Sequence, residues 1–320
     1  MSYNILLNRQ TLKKLLTYFF SLIIFLSACS DKEELVANIE EEVFNGEIVD
    51  TNSQLIKLAT GFLFLEGPTS DKNGNVYFTD QKQDKIFVWS VDNQLSLFME
   101  KTQRSNGLSF DAEGNLISCA DEFNKLVSIK MDGSVEVLVE SYNNKLLNGP
   151  NDLWIDTKGG IYFSDPYYKR SYWTRTGMEQ DGQCVYYLSS DRKNLTRAAE
   201  GFVRPNGVVG NKEGTKLYIA DIGDNKTYSY QISLDGTLTD KKLFAEFGSD
   251  GMTIDEYGNV YLCSANIIVF DPDGNKIKEI NVHEKPTNVC FGGKDFKTLF
   301  ITAVTSLYSL EMNVKGGANN

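Results

Sequence analysis

One pattern of a tight turn followed by a strand recurs six times along the 320-residue chain. Five copies open with Asp or Asn, reach a Gly three residues later and continue into β-branched and aromatic residues, as in 71–78 and 255–262. Asp and Asn favour such turns, and Gly adopts the positive φ that other residues resist. Phe296 replaces the Gly in the degenerate sixth copy. A chain with this repeat is expected to fold as a series of β-hairpins.

An oxygen-bearing polar residue stands eight positions before each of these six turn residues. The six are Glu66, Asn106, Asn151, Asn206, Asp250 and Asn288. Successive members are separated by roughly 38–55 positions, a spacing that suits four-stranded propeller blades. If the first strand of each blade lines the axis, the six side chains form a ring at one mouth of the central channel. The alternative is six independent strand-start caps, a role that Asn and Asp fill well. The common register favours the ring and predicts an all-β, six-bladed β-propeller.

The last blade lacks one strand at the C-terminal end of the chain, where Ser306–Leu310 is the last clear strand. A spare strand, Leu55–Ala59, precedes the first blade. We expect this N-terminal strand to complete blade six, because it closes the ring and covers an exposed sheet edge. The propeller is therefore assigned to residues 54–320.

Residues 1–28 are predicted to be a lipoprotein signal peptide. Positive charges precede an apolar stretch, Leu15–Leu26, that is too short to span a bilayer. The following Leu-Ser-Ala-Cys resembles the lipobox of bacterial lipoproteins, which predicts lipidation of Cys29. The alternative is a plain secretory signal with an incidental Cys. Residues 29–53 are rich in acidic residues and are predicted to be a tether, so we expect a lipid-anchored protein of the bacterial cell envelope, on its periplasmic or surface side.

The net charge limits the kinds of partner that the chain can bind, and the positions of the cysteines limit its possible disulfides. The net charge is −11 and no cluster of Lys and Arg could follow a phosphate backbone, which argues against nucleic-acid binding. The four cysteines after Cys29 are expected to be small buried hydrophobic residues. Cys119 and Cys263 hold the same place in blades two and five, which are not neighbours, so these two cannot form a disulfide.

The ring offers only oxygen ligands. Its two carboxylates, Glu66 and Asp250, match the charge of a dication, and the four amides add neutral oxygens. Such a set suits Ca²⁺, with Mg²⁺ and Mn²⁺ as alternatives, and Zn²⁺ is the least suitable of the four. We therefore predict one divalent cation on the central axis.

Five short strings, in this order, resemble the gluconolactonase/regucalcin family over residues 54–312. They are Glu66-Gly67-Pro68, Asn148-Gly149-Pro150-Asn151-Asp152, Tyr162-Phe163-Ser164-Asp165-Pro166, Arg204-Pro205-Asn206-Gly207 and Ser249-Asp250-Gly251-Met252. The resemblance implies a six-bladed propeller with one Ca²⁺-type ion on its axis and, usually, lactone hydrolysis. The metal ligands of the family fall on Glu66, Asn151, Asn206 and Asp250. Asn106 and Asn288 share the register outside that set and are predicted to bind substrate, with a supporting position beside the ligands as the alternative for Asn106.

Because the sequence offers ligands for a metal but no Ser-His-Asp triad, we expect a metal-assisted mechanism. The cation would polarise the lactone carbonyl while water attacks, and Asp250 is the candidate base. Direct nucleophilic attack by Asp250, or a purely ligating Asp250 with a base elsewhere, are the alternatives. The single histidine, His283, is expected to have a surface or structural role.

An insertion makes the interval between Asn151 and Asn206 the longest of the five. It holds Tyr167–Arg175 and follows the strand that ends at Asp165, so it is expected at the ring end. Tyr168 and Arg170 are predicted to bind substrate by stacking on a sugar ring or steadying a carboxylate. The alternative is a surface loop packed by its own tyrosines. Four aspartates recur at a nearly constant distance after their ring residues and are expected to cap turns; they are Asp80, Asp121, Asp165 and Asp221.

The leading hypothesis is thus a metal-dependent lactonase that acts on a sugar lactone or similar cyclic ester. One alternative is a phosphotriesterase-type hydrolase, because related propellers present nearly the same metal ring. The other is a non-catalytic binding module of the cell envelope, since a propeller fold alone does not imply catalysis. None of these hypotheses assigns an oligomeric state.

Overall fold

The repeat turns adopt the backbone conformation that their sequences predict. The computed structural model describes residues 46–317, and in it the five turn glycines have φ between +67° and +87°. Phe296 keeps the same left-handed conformation in the sixth copy, at φ +59°. In the first turn, the Asp71 carboxylate accepts the backbone N–H groups of Asn73 and Asn75, at 2.8 and 3.0 Å. The hairpin pattern predicted from the repeat is confirmed.

The described chain contains 26 strands and a single turn of 3₁₀ helix, Asp121–Phe123. In chain order the strands are β1 (Ile56–Thr60), β2 (Leu65–Ser70), β3 (Val76–Asp80), β4 (Lys85–Trp89), β5 (Leu95–Glu100), β6 (Ser105–Phe110), β7 (Leu116–Ala120), β8 (Lys125–Ile129), β9 (Val135–Val139), β10 (Ser141–Tyr142), β11 (Lys145–Leu146), β12 (Leu153–Ile155), β13 (Ile161–Asp165), β14 (Gln183–Leu188), β15 (Leu195–Phe202), β16 (Pro205–Gly210), β17 (Lys216–Asp221), β18 (Lys226–Ile232), β19 (Leu238–Ala245), β20 (Met252–Ile254), β21 (Val260–Cys263), β22 (Ile267–Phe270), β23 (Lys276–Ile280), β24 (Asn288–Gly292), β25 (Thr298–Ala303) and β26 (Ser306–Glu311).

Six antiparallel four-stranded sheets form the blades. Blades one to five are β2–β5, β6–β9, β12–β15, β16–β19 and β20–β23, and β10 and β11 form a small separate hairpin. Their first strands contact one another around the axis in the order β2, β6, β12, β16, β20, β24 and back to β2. Every residue of β2 is buried, whereas the outer strand β5 is mostly exposed. The predicted six-bladed propeller is confirmed.

Blade six is closed by the N-terminal strand, as predicted. Its sheet order is β24, β25, β26 and β1, with β1 antiparallel to β26. The residues just before β1 also pack on this blade: Val49 forms a β-bridge with Met312, and Ile48 is 4% exposed. The end of the segment predicted as a tether therefore lies against blade six at the ends of the strands opposite the ring. The signal peptide and Cys29 lie outside the described residues.

The blades pack through apolar clusters between neighbouring sheets. One cluster joins blades three, four and five through Trp154, Tyr218 and Phe270. The four cysteines of the described chain are free and buried, as expected for small hydrophobic residues; they are Cys119, Cys184, Cys263 and Cys290. Each of these packing layers buries apolar side chains that would otherwise face water, which is the main source of stability in such a fold.

Blades one and six meet closely where the repeat turn of blade one lies. The Gly293 N–H donates to Gly74 O at 3.0 Å, and a Cβ on Gly74 would lie 2.0 Å from Gly293 O. The matching glycine of blade two, Gly114, has a similar positive φ (+82° against +86°), but a Cβ there would meet no atom within 4 Å.

We expect Gly74→Ala to destabilise the protein more than Gly114→Ala. Both substitutions force a left-handed conformation on Ala, at about 1–2 kcal/mol. Gly74→Ala also pushes blade six away, which adds roughly 1–3 kcal/mol for the overpacked contact. Urea denaturation of both variants measures the difference. Equal losses of unfolding free energy would show that the contact between blades one and six is not a tight closure.

Candidate metal centre at the propeller axis

The inner strands bring the six predicted ring residues to one end of the axis. Glu66, Asn106 and Asn206 lie near the start of their inner strands, and Asn288 begins its strand. Asn151 and Asp250 shortly precede β12 and β20. Five of the six are buried, with exposed fractions of 2–6%, whereas Asp250 is partly exposed. Asp250 is therefore the ring carboxylate that solvent can reach.

Glycines that follow ring residues let the inner strands approach at the mouth. Gly107 N–H donates to Asn151 O at 2.7 Å, and a Cβ on Gly107 would lie 2.6 Å from the same oxygen. A Cβ on Gly251 would lie 1.8 Å from Cγ of Asn288. The position after the ring residue is Gly in blades one, two, four and five. This second repeated position is a sequence signal for close packing of the ring that the predicted site residues do not include.

A third carboxylate, Asp152, joins Glu66 and Asp250 at the axis and is not among the residues predicted from the sequence. Asp152 occupies the position after the ring residue in blade three, where four other blades have Gly. It is 6% exposed, and burial raises its pKa to about 7. Hydrogen bonds from the backbone N–H groups of Leu153 and Val208 stabilise the charged carboxylate and so lower the pKa of Asp152 in part.

The axial carboxylates repel one another in the absence of a cation. Burial, followed by the charges of Asp250 and Asp152, raises the pKa of Glu66 well above its ordinary value. Desolvation also raises the pKa of Asp250, and the positive charge of Lys285 opposes it. Among residues 46–317 none of the three carboxylates forms a salt bridge. A dication at the ring would supply the missing positive charge.

The amides of the ring leave oxygens available for a cation. The Asn206 Nδ2 group donates to Asp250 Oδ1 at 2.9 Å and to the Tyr168 hydroxyl at 3.0 Å. Both N–H bonds are then used and Oδ1 remains free. The side-chain amides of Asn106 and Asn151 have no hydrogen-bond partner within the described chain.

The acidic side chains alone do not make a metal site. Across residues 46–317, no three His, Cys, Asp or Glu side chains group closely enough to hold a metal ion by themselves. A cation at the ring therefore depends on the amide oxygens as well. The predicted ligands, Glu66, Asn151, Asn206 and Asp250, offer such a mixed oxygen set, which fits Ca²⁺. Their assignment as ligands stays a prediction.

A narrow cavity of about 50 Å³ continues along the axis below the ring and is lined by all six inner strands. Asn288 and Asp152 both line it. The Asn288 Oδ1 accepts the Val289 N–H at 2.8 Å, and hydrogen bonds from its side chain lower the pKa of both Glu66 and Asp152. Asn288 is thus placed as a partner of the axial carboxylates, and its predicted contact with substrate stays a prediction.

Three of the four recurring aspartates cap turns, as expected. Asp80 accepts the N–H groups of Leu63 and Phe64, and Asp165 and Asp221 accept the equivalent pairs in blades three and four. Asp121 is the exception, because its carboxylate accepts hydrogen bonds from side chains, those of Arg170 and Tyr172 in the insertion and that of Gln81 in blade one. The prediction of a turn cap is therefore wrong for Asp121.

The insertion, residues 166–182, is held against blade two by Asp121. The carboxylate of Asp121, 2% exposed, accepts Arg170 Nε at 2.7 Å and the Tyr172 hydroxyl, and its backbone oxygen accepts Trp173 Nε1 at 3.0 Å. Arg170 is thus paired, with 22% of its side chain exposed, and its guanidinium lies 5.0 Å from the Tyr168 ring centroid. Its predicted contact with substrate stays a prediction. Tyr168, by contrast, reaches the ring through Asn206. The insertion is packed by its own aromatic residues and also forms one wall of the mouth.

We expect Asp121→Asn to loosen the insertion without removing the ring. The loss of charge-assisted hydrogen bonds from Arg170 and Tyr172 costs about 1–3 kcal/mol locally. Trypsin should then cut after Lys169, Arg170 or Arg175 about tenfold faster, while cation binding stays unchanged. Asp132→Asn, an exposed turn position of the same blade, is the matched control. Unchanged proteolysis would contradict the role of Asp121 as the anchor.

Two other features lie away from the ring. A groove of about 820 Å³ is formed at the opposite end by the repeat turns of blades one to three. Its carboxylates include Asp71 and Asp156, which already accept backbone N–H groups. His283 is exposed and its ring centroid lies 6.4 Å from that of Tyr308, consistent with the expected surface role.

Comparison with known proteins places the chain among propellers of one family. Residues 64–305 match the family described as the SMP-30/gluconolactonase/LRE-like region. A gluconolactonase of Zymomonas mobilis is 30% identical over 291 residues, which cover 80% of each chain. The match to the family includes all six ring residues, from Glu66 to Asn288.

Solved structures agree in fold. A gluconolactonase from Xanthomonas campestris superposes with a TM-score of 0.77 at 26% identity, covering 83% of this chain and 91% of its own. A calcium-binding regucalcin from Agrobacterium tumefaciens superposes with a TM-score of 0.69 at 17% identity, covering 86% and 96%. At that identity the second likeness concerns the fold alone.

Proposed function

The chain belongs to the SMP-30/gluconolactonase/LRE-like family, and we propose that it is a divalent-cation-dependent hydrolase that opens a sugar lactone or similar cyclic ester. The observation that carries the proposal is the ring itself. Two carboxylates that form no salt bridge among residues 46–317 converge with amides whose oxygens are free at one end of the axis, and one carboxylate, Asp250, is partly exposed. The similarity to gluconolactonases supports the lactone as substrate.

Glu66, Asn151, Asn206 and Asp250 would hold the cation, with Ca²⁺ as the best match to an all-oxygen donor set. When bound, the cation supplies Lewis-acid polarisation of the lactone carbonyl and stabilises negative charge on its oxygen. The protein supplies the fixed donors, because each ligand stands near the start of a rigid inner strand.

Asp250 is proposed as the base that takes the proton of the attacking water. Asn206 Nδ2 holds Asp250 Oδ1 at 2.9 Å, which orients the carboxylate and leaves Oδ2 for the proton. The same position of Oδ2 also suits direct attack on the carbonyl carbon, the alternative stated for this residue.

Tyr168 and Asn106 are proposed to contact the substrate. Burial raises the pKa of Tyr168 to about 12, so its hydroxyl stays protonated and can donate a hydrogen bond to a sugar oxygen. Asn106 presents its amide from blade two with no protein partner among residues 46–317. Together they would orient the ring of the lactone beside Asp250.

The proposal is tested by turnover of the purified protein on a panel of sugar 1,4-lactones and one phosphotriester, paraoxon. We expect lactone opening well above the spontaneous rate and little hydrolysis of paraoxon. Hydrolysis of paraoxon alone would assign the phosphotriesterase alternative. Lactone binding without any turnover would assign the non-catalytic binding module.

We also propose that the protein is anchored in the bacterial cell envelope through a lipid on Cys29, as its N-terminal sequence predicts. Among residues 46–317 no helix is long and apolar enough to cross a membrane. We expect Cys29→Ala to move the protein from the membrane fraction to the soluble fraction of a bacterial host and to abolish labelling with radioactive palmitate. Membrane retention of Cys29→Ala at the wild-type level would contradict the anchor.

A further inference from the structure

Basic side chains gather at the ring end of a chain whose net charge is −11. The loops at this end hold Arg104, Arg170, Arg175, Arg204 and Lys285. Three of these cations are engaged with the protein. Arg104 donates to Gln81 O and Lys82 O, Arg170 pairs with Asp121, and Arg175 donates to Leu147 O and Asn148 O.

Arg204 and Lys285 are different, because both are exposed and neither has a hydrogen-bonded or ion-paired side-chain partner within the described chain. Arg204 stands two residues before the ring residue Asn206, and Lys285 three residues before Asn288. They approach the mouth from blades four and six, on either side of Asp250 in blade five.

Arg104 occupies the same register position in blade two as Arg204 does in blade four, but its guanidinium is bound by the protein. It also stands two residues before its ring residue, Asn106, but its guanidinium donates to carbonyls and lies 4.5 Å from the Tyr172 ring centroid. The guanidinium of Arg204 has only the Tyr168 ring, with the centroid 5.0 Å away. Its donors remain available to a ligand.

A series of contacts through Tyr168 and Asn206 connects Arg204 to Asp250. The Tyr168 hydroxyl is 3.0 Å from Asn206 Nδ2, which is 2.9 Å from Asp250 Oδ1. On the other side of Asp250, the Gly251 N–H donates to Thr287 O at 2.7 Å, which places the loop that carries Lys285 beside the same ring residue. A lactone with its carbonyl at the ring would therefore place its far end within the field of both cations.

The acids next to these two cations in the loops, Glu284 and Asp221, have other partners. Glu284, next to Lys285, is paired with Lys57 and accepts hydrogen bonds from Thr305, Ser306 and Tyr308. Asp221, near Arg204, accepts backbone N–H groups. The two cations are thus left facing the solvent at the mouth.

We propose that the substrate is a sugar lactone with an anionic substituent, a carboxylate, sulfonate or phosphate, at the end distant from the lactone carbonyl, and that Arg204 and Lys285 bind this substituent. The inference rests on the proposed lactone hydrolysis and deepens it. The Tyr168 ring centroid lies 5.0 Å from the Arg204 guanidinium, and the substituent would take the guanidinium donors that the protein leaves unused.

The test uses two lactones with the same ring, D-glucono-1,4-lactone and D-glucaro-1,4-lactone, which differ in a terminal hydroxymethyl or carboxylate group. We expect the wild-type protein to favour the charged lactone in kcat/KM by about tenfold or more. Arg204→Gln and Lys285→Gln should each lose about tenfold on the charged lactone, mainly through KM, and less than about twofold on the neutral one. Arg204→Lys should keep part of the preference, and Lys242→Gln, an exposed outer-strand position, is the control.

Calorimetric binding of both lactones to the same variants separates this inference from the proposed activity. Tighter binding of the charged lactone that depends on Arg204 and Lys285, with no turnover, would contradict the hydrolase and support the anion site. Equal affinities for the two lactones in the wild-type protein would overturn the anion site. Equal losses on both lactones in the variants would overturn it as well, because the cations would then serve only the charge balance of the ring.

Discussion

Asp250→Asn should lower kcat for lactone opening by about a thousandfold even when the cation is present at a concentration that saturates the weakened site of the variant. The amide keeps an oxygen for the metal but cannot accept the proton of the attacking water, and a positioned base typically contributes about 10²–10⁴-fold. The hydrogen bond from Asn206 Nδ2 to Asp250 Oδ1 holds the wild-type carboxylate in place. Initial rates on a sugar 1,4-lactone, with calorimetric cation binding on the same preparation, measure both effects.

The matched control is Asp273→Asn, an exposed turn residue of the same blade. It should leave both rate and cation affinity unchanged. If Asp250→Asn keeps the wild-type rate and the cation, Asp250 is not the base. If the rate returns to the wild-type level once the weakened site is saturated with cation, Asp250 acts only as a ligand.

Glu66→Gln should remove most of the cation affinity and, with it, the activity. Because Ca²⁺ affinity depends on the number of charged ligands, the loss of one of two ring carboxylates should weaken binding by about a hundredfold. The same substitution should stabilise the metal-free protein at pH values above the ordinary pKa of a Glu side chain. The reason is that the pKa of Glu66 is raised in the folded protein. For such an acid, the free energy of unfolding falls as the pH rises above the pKa that the group has in the unfolded chain.

Thermal denaturation in chelator and in Ca²⁺, at pH 5 and pH 8, separates these effects. For the wild-type protein, Ca²⁺ at 100 times its Kd should add about 2.7 kcal/mol, which corresponds to a Tm increase of roughly 5–10 °C. For Glu66→Gln the increase should be nearly absent at the same concentration, and the metal-free Tm at pH 8 should exceed that of the wild-type protein. A wild-type Tm that does not respond to Ca²⁺, Mg²⁺ or Mn²⁺ would argue against a cation at the ring.

The fold was predictable because its information is local and repeated. Each turn position, from Gly74 to Phe296, specifies one hairpin, and the common register places the first strands around one axis. The closing strand β1 followed from counting strands. Repetition also predicted which six side chains would meet, although no single copy specifies the distance between blades.

The details that escaped prediction depend on departures from the repeat or on contacts between blades. Asp152 departs from the Gly that follows the ring residue in four blades, so its position at the axis could have been noticed. The link from Asp121 to Arg170 joins residues far apart in the sequence and forms only when the insertion folds back on blade two. No local pattern distinguishes Asp121 from the capping aspartates Asp80 and Asp221.

The central claim is that the ring holds a divalent cation on which lactone opening depends. Its most direct test is the initial rate of opening of a sugar 1,4-lactone by the chelator-treated protein, measured over a series of buffered free Ca²⁺ concentrations. The account predicts no enzymatic rate without the cation and a rate that saturates over the same concentrations as cation binding. A full rate in chelator-treated, metal-free protein would contradict it.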